Sequence, residues 1–214
     1  MPKTRAVVIT GYHKSEAEFG SDVTSYYRDH RLKHGRNISF YPVQSRGEKR
    51  PDLVVPEADA ELRDYFSNHA PPDVVLDVHV GAAEYIWPKG TDEAEYEAID
   101  ILCAKIPAPV VYSLSRLLGC EHVISDVLLP HEVEDLSDLD QEDALHRVDG
   151  GATSPRDWTH MTIAKTGLPT VSVEPYLFVD SVTARDPIYW HRVHQLADLI
   201  NTMYDAFEDC RNRA

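Results

Sequence analysis

The sequence has few cysteines, and its amino-terminal segment has no long apolar run. Its three cysteines, Cys103, Cys120 and Cys210, are widely spaced among 214 residues. An odd, scattered set of this kind fits neither a disulfide framework nor a thiolate zinc site. The apolar run within residues 5–10 is too short for a signal peptide or a membrane span. We therefore expect a cytoplasmic protein that has no membrane partner.

Basic residues are also scarce relative to acidic ones. The chain has 21 lysines and arginines against 36 aspartates and glutamates, a formal net charge of −15. A field of this sign repels phosphate backbones, so nucleic acid is not an expected partner. The acidity is also compatible with adaptation to high salt, which stays open at this point. The length favours one domain over two, and we predict a single domain spanning residues 1–214.

Apolar patterning along the chain predicts alternating strands and helices. Short β-branched runs bounded by glycine or proline predict strands at residues 5–10, 73–80, 110–114 and 170–173. Apolar residues at three- and four-residue steps predict helices at 57–68, 91–106, 157–166 and 187–207. This alternation is typical of an α/β domain with a mostly parallel central sheet. In such folds the ligand site lies at the carboxyl ends of the strands.

Metal-ligating side chains follow three of the predicted strands. His13 and Glu16 come just after the first strand, and His79 lies near the end of the second one, two residues after Asp77. Glu174 follows the strand at 170–173. Two histidines and one carboxylate form a ligand set that zinc favours, with a fourth position open to water. We predict a zinc ion held by His13, Glu16 and His79, with Asp77 beside the metal or supporting a ligand.

Several short motifs, taken in order, resemble the zinc metallocarboxypeptidase superfamily, which includes the succinylglutamate desuccinylase and aspartoacylase branch. The motifs are His13-x-x-Glu16, LDVH at 76–79, IWPKG at 86–90, SPRDW at 154–158 and GLPTVSVE at 167–174. The resemblance runs from about residue 5 to residue 178. It implies a mixed eight-stranded sheet flanked by helices on both faces.

The resemblance also implies an activity and a site. The expected reaction is zinc-dependent hydrolysis of a peptide or amide bond in a small peptide or acyl amino acid, with Glu174 as the catalytic carboxylate. Arg36 is the candidate carboxylate clamp, with Arg28, Arg31 and Arg46 as alternatives. Trp158 and Tyr176 are candidate substrate-binding residues.

Departures from the family pattern keep alternatives open. The family has a tyrosine shortly before its catalytic glutamate, but this chain has none between Tyr112 and Tyr176. The family's Asn-Arg pair is only half matched by Gly35-Arg36-Asn37. An N-acyl amino acid deacylase and a catalytically inactive metal-binding domain are the alternative functions, and Tyr85 or Tyr176 is the candidate replacement for the absent tyrosine.

Overall fold

The fold is an α/β arrangement with one central sheet and helices on both of its faces. The computed structural model describes residues 3–13, 16–45, 55–82, 99–117 and 167–213. The strands are β1 (Arg5–Thr10), β2 (Asn37–Pro42), β3 (Val74–Val78), β4 (Gly81–Ala82), β5 (Ile99–Ala104) and β6 (Thr170–Leu177). The helices are α1 (Ala17–Tyr26), α2 (Pro56–Asn68), α3 (Ala108–Leu117), α4 (Val179–Ala184) and α5 (Pro187–Arg213). A π-helical turn, Tyr27–Arg31, extends α1.

The sheet is mixed and mostly parallel, as predicted. Strands β2, β1, β3 and β6 lie side by side in that order and run parallel to one another. The short strand β4 pairs with the last residues of β6, also in parallel. Strand β5 pairs antiparallel with β6. The carboxyl ends of β1, β3 and β6 therefore meet at one edge of the sheet.

Side chains of the central strands pack alternately into two apolar layers, one on each face of the sheet. On one face Ala6 and Val8 of β1 join a large cluster with α1, α3 and α5. On the other face Val7 and Ile9 pack with Ala58 and Leu62 of α2. Because side chains of a strand alternate between faces, both faces of β1 are apolar and both are covered by helix.

Helix α1 lies unusually close to the end of β1. A Cβ atom placed on Gly20 would lie 2.5 Å from the Cβ of Thr10, a separation that side chains do not adopt. The missing side chain therefore permits the close approach of helix and strand. This contact holds the start of α1, and hence Glu16, next to the carboxyl end of β1.

Two predicted elements are wrong in type. Residues 110–114, predicted as a strand, belong to helix α3, where Val110 and Leu114 are buried one turn apart. Residues 99–104, predicted as helix, form β5, where Ile99, Ile101 and Cys103 are buried at alternate positions. A short apolar run is compatible with either period until its packing partner is known. The predicted helix at 157–166 lies outside the described residues.

Within the described ranges, none of the helices has the length and apolar character needed to cross a membrane.

Candidate metal centre

The candidate centre lies where the ends of β1, β3 and β6 meet. Thr10 pairs with Val78, and Val78 pairs with Val173, so the residues that follow these three positions start from adjacent points of the sheet. The backbone N–H of His79 donates to the carbonyl of Val173 at 2.9 Å, which carries the pairing one residue past β3.

The segment between β1 and α1 brings a histidine and a glutamate together. Gly11 has a φ of +73°, a conformation that favours glycine and turns the chain away from the strand. The N–H of Glu16 donates to the carbonyl of His13 at 3.0 Å. The N–H of His13 donates in return to Glu16 Oε2 at 3.1 Å. These two hydrogen bonds hold the Glu16 carboxylate next to the backbone of His13.

His13, Glu16 and His79 form one compact cluster. His13 Nδ1 lies 2.8 Å from Glu16 Oε1, and His79 Nδ1 lies 3.2 Å from Glu16 Oε2. One ligand atom from each residue lies within 4.8 Å of the other two. Glu16 and His79 are only 3% and 2% exposed. These are the three side chains that the sequence predicts as metal ligands, and the structure brings them together.

Asp77 orients the ring of His79. Its Oδ2 lies 2.8 Å from His79 Nε2, so the other ring nitrogen, Nδ1, faces Glu16 and His13. The hydroxyl of Ser172 donates to the same oxygen at 3.5 Å. The other oxygen, Oδ1, is buried with no hydrogen-bond partner among the described residues. A carboxylate on the outer nitrogen of a metal-binding histidine is a common way to fix its tautomer.

The pKa values of Glu16 and His79 are both shifted by their neighbours. Burial opposes ionisation of Glu16, but His79 and His13 hold the pKa of its carboxyl well below the ordinary value. Burial lowers the pKa of His79, but Asp77 and Glu16 outweigh it and raise that pKa well above the ordinary value. Both shifts have the same cause, the close pairing of the His79 imidazole with buried carboxylates.

Glu174 and Tyr176 lie beside this cluster on β6. Because side chains alternate along a strand, Glu174 and Tyr176 project from the same face as Ser172, which contacts Asp77. A Cβ atom placed on Gly81 would lie 3.0 Å from Glu174 Oε1 and 2.4 Å from the ring of Tyr176. The bare backbone of Gly81, two residues past His79, thus leaves the space in which both side chains sit.

Arg36 lies away from the cluster. It comes immediately before β2, at the amino-terminal edge of the sheet, whereas His13 follows the carboxyl end of β1. Its guanidinium donates to Asn201 and Asp205 of α5 and lies 5.4 Å from the ring centroid of Tyr204. The structure thus ties Arg36 to α5 at the opposite edge. Trp158 lies outside the described residues, as does Tyr85.

Tyr12 contacts the cluster and is linked to Asp59, and the sequence patterns point to neither residue. The ring of Tyr12 lies edge-on to the imidazoles of His13 and His79, with centroid separations of 5.0 Å and 5.8 Å. Its hydroxyl donates to Asp59 Oδ1 of α2 at 2.7 Å. The position of Tyr12 next to His13 was the available signal, but nothing in the sequence spacing connects either residue to Asp59.

Comparison with known proteins gives only distant likenesses. No protein-family model matches the chain, and no curated protein matches it. Similar solved structures include a futalosine hydrolase mutant of Helicobacter pylori strain 26695, with a TM-score of 0.47 and 10% identity over 94% of this chain and 99% of that one.

Two further structures give similar values. Helicobacter pylori MTAN has a TM-score of 0.43 and 11% identity over 94% of this chain and 99% of that one. An MTA/SAH nucleosidase has a TM-score of 0.41 and 10% identity over 97% of both chains. At such identities and TM-scores, the activities of these proteins do not transfer to this chain.

The predicted membership of the zinc metallocarboxypeptidase superfamily is wrong: no family model matches the chain, and none of the similar solved structures named above is a zinc carboxypeptidase. The activities predicted from this membership are therefore wrong as well. They are hydrolysis of a peptide or amide bond by a carboxypeptidase and deacylation of N-acyl amino acids. The motifs are each only a few residues long. Polar residues gather at the strand ends of many α/β sheets, so their order along the chain is weak evidence of family.

Proposed function

We propose that this chain binds one divalent metal ion, with zinc the preferred one, through His13, Glu16 and His79, and that it is an enzyme that uses this metal. The observation that carries the proposal is the convergence of three buried or half-buried ligand side chains, with one ligand atom of each within 4.8 Å of the others. The ligands come from distant parts of the chain, since β1 ends at Thr10 and β3 begins at Val74.

Charge supports a cation at this place. Glu16 is 3% exposed and Asp77 is 0% exposed, so both carboxylates are removed from water. A buried charge is costly unless it is paired or binds a metal. A divalent ion bound here would supply positive charge next to both carboxylates, with Nδ1 of His79 as one of its ligands.

The ligand set favours zinc and an open site. Zinc is commonly bound by imidazole nitrogen and carboxylate oxygen, and catalytic zinc sites have three protein ligands with a fourth position for water or substrate. When bound, such an ion lowers the pKa of its water and polarises a substrate oxygen. The three ligands here match that catalytic pattern, whereas structural zinc sites have four protein ligands.

Glu174 supplies a carboxylate for proton transfer. It lies on β6 next to the strand that carries His79, is half-buried, and approaches the backbone of Gly81. A carboxylate at this position would be placed to accept a proton from a group held at the centre. Tyr176, one step further along the same face, lines this side of the site.

The test is metal analysis of the purified chain with a small set of variants. We expect one zinc ion per chain after dialysis against excess zinc and removal of loosely bound metal. Loss of a ligand in His13→Ala or Glu16→Gln should weaken zinc binding by more than about 100-fold, since even supporting residues around a metal contribute about 10- to 100-fold.

Two control variants make the result specific. His194→Ala removes a histidine that stacks on Tyr26 of α1, away from the cluster, and should leave zinc binding unchanged. Glu174→Gln should also retain zinc but should change the pH at which a water on bound Co2+ ionises, seen in the visible spectrum. A wild-type chain that binds no zinc, or a His13→Ala variant that binds it as tightly as wild type, contradicts the proposal.

A further inference from the structure

A buried tyrosine connects the two metal-binding histidines to helix α2. Tyr12 is 2% exposed and packs with Val7, Ile9 and Val75 in the apolar layer beneath α2. Its ring packs at a steep angle against the imidazoles of both His13 and His79. One side chain therefore contacts a ligand from the β1–α1 segment and a ligand from the end of β3.

The hydroxyl of Tyr12 makes hydrogen bonds within an otherwise apolar layer. It donates to Asp59 Oδ1 at 2.7 Å, and the N–H of Val55 donates to the same hydroxyl at 3.4 Å. Asp59 is itself buried in the first turn of α2. Burial and the bond to Asp59 raise the pKa of the Tyr12 phenol, which keeps it protonated and a donor.

A phenylalanine would fill the same apolar volume, so packing alone does not account for a buried carboxylate at this point. The hydrogen bond instead fixes the tilt and depth of the ring against a helix whose own position is set by packing. Any other ring orientation would break this bond and leave a buried donor and a buried acceptor without partners, which is costly. The bond therefore restricts the ring to one orientation. The orientation of the ring in turn limits where both imidazoles can lie.

We propose that Tyr12, held by Asp59, is a positioning residue of the metal centre that sets the separation and tilt of His13 and His79. The inference rests on the proposed metal site and extends it to α2, which contributes no ligand. Loss of the hydroxyl should therefore loosen the ligand geometry while leaving all three ligands in place.

The experiment compares two tyrosine variants that each lose a bond to α2. Tyr12→Phe removes the bond to Asp59, and the matched control Tyr41→Phe removes the bond of Tyr41 to Glu61, which is 2.9 Å long. Co2+ is titrated into each metal-free chain, and affinity and visible spectrum are recorded. We expect Tyr12→Phe to bind Co2+ about 10-fold or more weakly with an altered spectrum. Tyr41→Phe should match wild type in both.

A third variant separates positioning from stability. Tyr12→Phe leaves the Asp59 carboxylate buried without its donor, which itself destabilises the fold. The double variant Tyr12→Phe with Asp59→Leu removes that stranded charge and should regain thermal stability without regaining Co2+ affinity.

The outcomes distinguish the two proposals. If wild type binds no metal, the proposed function fails and this inference fails with it. If wild type binds metal but Tyr12→Phe binds it as tightly as Tyr41→Phe does, only the positioning role is overturned. Recovery of wild-type Co2+ affinity in the double variant also overturns that role, because the stranded carboxylate would then account for the loss.

Discussion

His79 lies between two buried carboxylates, and its two ring nitrogens face different partners. Asp77 Oδ2 lies 2.8 Å from Nε2, and Glu16 Oε2 lies 3.2 Å from Nδ1. The pairing with Asp77 leaves Nδ1 as the nitrogen that faces the centre. Asp77 is therefore the residue whose change should affect the metal without removing a ligand.

Replacement of Asp77 by asparagine tests this role. The amide of Asp77→Asn has nearly the same size but no charge, so it holds the ring less firmly and lowers its basicity. We expect zinc affinity to fall about 10- to 100-fold, the range typical of residues that support a metal ligand. Competition with a chromophoric chelator measures the change.

Asp73→Asn is the matched control for this substitution. Asp73 lies immediately before the same strand, at its opposite end, where its carboxylate accepts from the N–H of Arg5 at 2.7 Å. Its replacement should alter stability but not zinc affinity. Equal losses of affinity in the two variants would show that Asp77 acts only through the fold.

The sequence locates the three clustered side chains, His13, Glu16 and His79, better than the residues around them. His13, Glu16 and His79 each follow a buried strand, and parallel strands bring their ends together, so the prediction depends only on recognising two strands. Arg36 was proposed on a motif of three residues, and sequence does not show that it precedes its strand rather than following it. Tyr12 and Asp59 meet through the packing of α2, which spacing along the chain does not reveal.

At the level of secondary structure elements, α2 is tied to the segment after β2 by one carboxylate. Glu61 accepts hydrogen bonds from the N–H groups of Gln44 and Ser45 at 2.8 Å and 2.7 Å and from the hydroxyl of Tyr41 at 2.9 Å. The hydroxyl of Ser45 also donates to Glu61, at 2.5 Å. Burial opposes ionisation of Glu61, but these bonds, that of the Ser45 hydroxyl most of all, lower the pKa of its carboxyl.

This lowered pKa gives a pH dependence of a defined sign. A carboxyl whose pKa is lower in the folded than in the unfolded state stabilises the fold above the unfolded pKa of about 4.3. That contribution is lost as the pH falls through the folded pKa. We expect Glu61→Gln to destabilise the chain by about 1 to 3 kcal/mol at neutral pH, and the difference from wild type should shrink on acidification in urea unfolding curves.

Glu57→Gln provides the comparison on the same helix, because Glu57 is exposed one turn earlier. Its effect on the free energy of unfolding should be small at every pH. A Glu61→Gln difference that stays constant or grows as the pH falls would contradict the role given to the charged form of Glu61.

The elements that were predicted correctly have an unambiguous pattern. The strand at 5–10 is β-branched and stopped by glycine, and the pattern beginning at Pro187 continues through α5. Residues 99–104 and 110–114 were predicted in the wrong type of element because a short apolar run fits either period. Their partners, β6 and α5, lie far along the chain. Strand β2 was not predicted, since it is a half-buried edge strand with weaker apolar alternation.

At the scale of the whole molecule, the sheet explains both the correct and the incorrect parts of the interpretation. Alternating elements predict a mostly parallel sheet, and the sheet collects polar residues at its carboxyl edge. The same geometry arises in many unrelated α/β proteins, so it defines a site without defining a family. The net charge of −15 is a property of the entire surface and adds nothing to the choice of ligands.

We propose that one metal ion lies between His13, Glu16 and His79. The most direct test is an anomalous difference map from crystals of the zinc-loaded chain, with diffraction data collected on both sides of the zinc absorption edge. We predict one strong peak within coordination distance of His13 Nδ1, His79 Nδ1 and the Glu16 carboxylate, at about 2.0 to 2.2 Å. A map with no peak between these residues, or with its strongest peak at other side chains, would contradict the claim.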